Sequence, residues 1–130
     1  MHALPMDSDL ARPFVPAKDF EISKRFYRAL GFQQVHDGEV AIFKIGASSF
    51  ILQNYYNKEW AENFMMQLMV DDLDSWWSHL RGLQLEQEFS VPTPKAPAVQ
   101  PWGLRISYVV DPSGVLWHIA QRRHDTLQDV

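Results

Sequence analysis

Two acid-capped amphipathic segments, starting 53 residues apart at Asp19 and Asp72, constrain this 130-residue chain more than any other feature. Asp19 is a good N-cap, Ile22, Phe26 and Leu30 follow at intervals of four, and Gly31 supplies the glycine that ends helices. Asp72 begins the second segment, with Leu73, Trp76, Trp77 and Leu80 on one stripe and Gly82 as its expected stop. The acidic pair Asp71 and Asp72 stands where the helix dipole favours negative charge. Each helix buries one face, and each comes after a short apolar stretch, 12–17 and 64–70, that reads as a strand.

The segments after each helix repeat as well. Segments 32–36 and 39–45 flank Asp37-Gly38, the two-residue hairpin signature in which both central positions take positive φ. A turn at Gly46 then leads into 49–55. In the second half, 85–91, 104–110 and 115–121 read as strands, the last two joined by the turn Asp111-Pro112-Ser113-Gly114. The pattern is β-α-β-β-β twice over. Residues 91–100 interrupt it with Pro92, Pro94 and Pro97, an extended loop on the rim. Residues 122–130 lack apolar periodicity and read as a surface tail, and 1–10 as an N-terminal segment.

Composition removes several classes of function. No apolar run approaches the roughly 18 residues that span a bilayer, and the first residues lack the layout of a secretion signal, so a cytoplasmic protein is expected. The absence of cysteine removes disulfides and thiolate chemistry, leaving five histidines and the carboxylates as metal donors. A net charge of −4 argues against a nucleic-acid partner.

Three stretches carry a resemblance to the vicinal oxygen chelate superfamily, which includes glyoxalase I, extradiol dioxygenases and bleomycin resistance proteins. Residues 19–32 are similar to its D-x-x-x-S-x-x-F-Y-x-x-L-G-F helix. Pro101-Trp102-Gly103-Leu104-Arg105 resembles the W-G-x-R entry to the seventh strand in the bleomycin-resistance branch. Asp111-Pro112-Ser113-Gly114 with Val115, Leu116, Trp117 and His118 resembles the final turn and strand. The resemblance implies an α+β fold, in which two βαβββ modules, 11–56 and 63–121, form one domain over 11–121. Their eight strands make a curved mixed sheet with helices on the convex side and a cleft on the concave side. Small members pair as homodimers.

Many relatives hold a divalent metal in that cleft with His, Glu or Gln. The matching positions here are Arg12, Met65 and His118, with Gln53 on the fourth strand, and only His118 is a good ligand. A guanidinium repels a metal and a thioether suits hard cations poorly. His2, His36, His79 and His124 read as solvated surface positions. The expected function is therefore metal-independent binding of an aromatic or cationic small molecule, without catalysis and with no cofactor. Its site residues are Arg12, Phe14, Gln53, Tyr55, Met65, Gln67, Arg105 and His118, with Trp60 and Trp102 in loops at the mouth. Trp76, Trp77 and Trp117 read as core. The alternative is a metal-dependent lyase, isomerase or dioxygenase of the same superfamily, since a one-residue slip in strand register would exchange the two faces.

Overall fold

A computed structural model describes residues 10–123. Its first half runs β1 (Phe14–Pro16), α1 (Phe20–Leu30), β2 (Gln33–Asp37), β3 (Val40–Ile45) and β4 (Ser48–Gln53). A short helix α2 (Lys58–Asn63) leads to β5 (Met65–Val70), α3 (Leu73–Leu83), α4 (Leu85–Phe89), β6 (Ala98–Val99), β7 (Arg105–Val110) and β8 (Leu116–Gln121). Both expected caps form. The Asp19 carboxylate accepts the Ile22 N–H at 3.1 Å, and Asp72 accepts that of Ser75 at 3.0 Å.

The eight strands divide into two four-stranded sheets of like order, β1-β4-β3-β2 and β5-β8-β7-β6. In each, the strand before the long helix pairs in parallel with the last strand of its module, and the other pairings are antiparallel. Strand alternation gives each sheet two chemically distinct faces. Val15, Phe43, Phe50 and Leu52 on one face of the first sheet are buried, as are Val109, Trp117 and Ile119 on one face of the second. They belong to a single core with α1 and α3, in which the Phe50 and Trp117 rings lie 5.6 Å apart. Tyr27 is central to it, with its ring 4.9–5.9 Å from those of Phe26, Phe32, Phe43, Phe50 and Trp117.

Four local expectations are corrected. Residues 85–91 are not a strand: Leu85 and Phe89, four apart, lie on one side of α4, where Phe89 packs edge-on against Phe26 at 5.4 Å. The strand of that module is β6, inside the proline segment, which is tied to β7 by the bond from the Lys95 N–H to the Tyr108 carbonyl at 3.0 Å. Gly82 does not stop α3, which runs on to Leu83 and ends at Gln84 in the left-handed conformation, φ 53°. The hairpin after β2 forms, but neither Asp37 nor Gly38 has positive φ; Asp37 pairs with Ala41 and a bulge at Val35 shifts the register. Finally, His79 is tied down, its Nε2 lying 2.8 Å from the Leu30 carbonyl at the end of α1. His36 is exposed on β2, while His2 and His124 lie outside the described residues.

Candidate functional site

The open faces of the sheets carry most of the expected site residues, in two groups. On the second sheet Gln67 stands directly across from His118 in the parallel β5/β8 register, with Met65 two residues before it on the same face. On the first sheet Phe14 and Gln53 share the open face with Ile51, since Phe14 pairs with Ile51 and Pro16 with Gln53. Arg12 precedes β1, and its Nε donates to Ser49 Oγ at 2.9 Å.

The second-sheet group encloses a hollow of about 190 Å³ lined by Met65, Met66, Gln67 and His118. His118 is half-buried and its Nε2 is cut off from water with no hydrogen-bond partner. Burial holds its pKa below the ordinary histidine value, so the ring is neutral near pH 7. Tyr108, opposite His118 on β7, packs edge-on against the imidazole at 4.8 Å. Sequence reasoning missed Tyr108, because which residues of β7 share a face with His118 depends on the pairing of β7 with β8. A larger hollow of about 290 Å³ lies between the sheets and is lined by Leu10, Pro13, Ser49, Gln67 and Trp117 among others. Of the expected residues it touches only Gln67.

Arg105 is not part of the open face. It is three residues from Tyr108 and therefore points to the helix side, where its guanidinium forms a 2.6 Å ion pair with Asp74 of α3. Trp60 is not in a loop but on α2, with its ring 6.1 Å from that of Tyr55 and 6.2 Å from that of Phe64. Trp102 does lie in a turn, more than half exposed, beyond β6 at the edge of the sheet away from Met65. The three remaining tryptophans pack in or against the core.

The residues at the family's metal positions do not fit a divalent metal. Arg12 offers a cation already bound to Ser49, Met65 a thioether, and His118 a single imidazole whose neighbour across the ladder is an amide. Among the described residues no three His, Asp or Glu side chains are grouped to hold a metal ion. No helix among them is long and apolar enough to cross a membrane. The hollow beside His118 offers an uncharged, partly apolar surface with one unsatisfied nitrogen.

A bleomycin resistance protein of Klebsiella pneumoniae is 29% identical over 119 residues, which cover 88% of this chain and 93% of that protein. A crystal structure of a bleomycin-binding protein complexed with bleomycin matches 89% of this chain and all of its own, at 28% identity and a TM-score of 0.75. The crystal structure of a bleomycin resistance determinant encoded on transposon Tn5 matches 88% and 98%, at 30% identity and a TM-score of 0.73. The family model described as the Glyoxalase/Bleomycin resistance protein/Dioxygenase superfamily spans residues 9–119. With that span running from before β1 into β8 and including both long helices, the chain belongs to this superfamily.

Proposed function

We propose that the protein binds and sequesters a small molecule, without metal and without chemistry, and that its guest is of the bleomycin type. The observation that carries the reading is the match, across the full length of a bleomycin-binding protein, of a chain whose own donor set is wrong for a divalent metal. Binding alone needs shape, aromatic surface and a few polar groups, all of which the open faces supply.

The pocket requires two copies of the chain. The core faces of the two sheets meet through Phe50 and Trp117, so their open faces point away from the shared core and one chain cannot close a cleft between them. Phe14 on the first face and Met65 on the second are 49% and 62% exposed, apolar surface that a second copy would cover. A twofold dimer sets the first open face of one protomer against the second open face of its partner and makes two equivalent clefts. Isothermal titration of the full chain with metal-free bleomycin is expected to give one guest per subunit. No binding, or one tightly held divalent metal per subunit in protein purified without chelator, overturns the reading.

A further inference from the structure

Among the described residues, His118 Nε2 is the buried side-chain polar atom left without a hydrogen-bond partner. Native proteins rarely leave such a group unpaired, and where they do a ligand is a natural partner. We propose, resting on the binding function of this same site, that His118 is the residue that determines specificity, and that the part of the guest it receives is an uncharged heteroaromatic ring system bearing one hydrogen-bonding group.

Each feature of the hollow selects for that chemistry. Its walls are Met65, Met66 and Gln67, with no charged side chain among them, so a charged group entering would lose its hydration without compensation. The imidazole is kept neutral by burial, which removes it as a counter-charge for an anion. Thioethers are polarisable and pack well against aromatic rings, which favours a flat guest over an aliphatic one. Tyr108, edge-on to the imidazole, fixes the ring plane and hence the direction in which Nε2 points. Met65 is unbranched and 62% exposed, so it is the wall that can swing aside and let a guest reach the shielded nitrogen.

The chemistry of Nε2 serves either sense of bond. As a lone pair it accepts from an indole-like N–H, and as an N–H it donates to a quinoline-like nitrogen. Titration of the full chain with two matched pairs, indole against indene and quinoline against naphthalene, reads this directly. One heterocycle is expected to bind about tenfold more tightly than its carbocyclic counterpart, the value of one net hydrogen bond. His118→Phe, which keeps the aromatic volume, should level that pair, and His118→Gln should restore part of the preference. The ¹⁵N resonance of His118 Nε2 should move with the preferred heterocycle and stay in place with its counterpart. Equal binding within both pairs, or a preference that survives in His118→Phe, overturns the inference. If bleomycin binds while neither pair is discriminated, only the role of His118 fails; if bleomycin does not bind, the sequestering function fails with it.

Discussion

Asp111 is buried with Tyr27 and Trp117 in a chain of hydrogen bonds that joins the two modules. Tyr27 Oη donates to Asp111 Oδ2 at 2.5 Å and accepts from Trp117 Nε1 at 3.1 Å, while Asp111 Oδ1 accepts the N–H groups of Ser113 and Val115. Ser113 in turn reaches back, its Oγ accepting the Lys18 N–H at 2.8 Å. All the contacts to Asp111 favour its ionised form, yet burial outweighs them and pushes the carboxyl up to about 6. A carboxyl raised in the folded state from 3.8 stabilises fully below pH 3.8, and that contribution is lost as the pH rises through about 6. A rise of that size is equivalent to about 3 kcal/mol. Asp111→Asn should remove this dependence: urea titrations are expected to show wild type losing about 2 kcal/mol relative to the variant between pH 4 and pH 7, the remainder having been lost below pH 4. A constant difference would show that the carboxyl titrates normally. Tyr27→Phe leaves both a buried indole N–H and a buried carboxylate short of a partner, and should cost about 3 kcal/mol at pH 7.5.

At the scale of elements, α3 carries a test in which the sequence pattern and the structure predict opposite signs. Gly82 comes after the apolar stripe and looks like a helix stop, but it lies inside α3 with nothing within 4 Å of where a Cβ would stand. Gly82→Ala should therefore stabilise the protein by about 0.5–1 kcal/mol, through helix propensity alone. Gly31, which does end α1 with φ 104°, should behave in the opposite sense, Gly31→Ala raising the backbone energy by about 1 kcal/mol. Thermal melts of both variants check the contrast. The stop at Gln84 is not legible in the sequence because α3 passes directly into α4, and a left-handed glutamine between two helices leaves no compositional mark. The legible signals are local ones, such as the caps at Asp19 and Asp72 and the turn at Gly114, where a few neighbouring residues settle the geometry. Segment 85–91 reads as a strand although its first five residues are helical, because Leu85 and Phe89 are consistent with either period in so short a run. Arg105 and Tyr108 show the limit in the candidate site. Their alternation along β7 is plain, but which of them joins His118 is fixed by the pairing of Tyr108 with His118 across two strands.

For the whole molecule, the question is what covers two open faces that one chain holds apart. If a second copy does so, a charge placed on the first face should act on assembly before it acts on folding. Phe14 is half-exposed in a single chain, so Phe14→Glu removes little from the core, whereas in the dimer it puts an unpaired carboxylate against the partner's apolar surface. Sedimentation of the wild type is expected to give twice the 15.1 kDa mass of the chain, and Phe14→Glu to give a single chain with a melting temperature set by the monomer fold. Bleomycin binding should be lost with the dimer, because each cleft takes one face from each protomer. Met65→Glu supplies the reciprocal half, charging the second face instead. Mixing the two single variants leaves one of the two clefts in a mixed dimer free of either change, so partial recovery of binding is expected at about one guest per two chains. A wild type that sediments as a single chain while binding bleomycin would place the guest on one open face alone and remove the need for a partner.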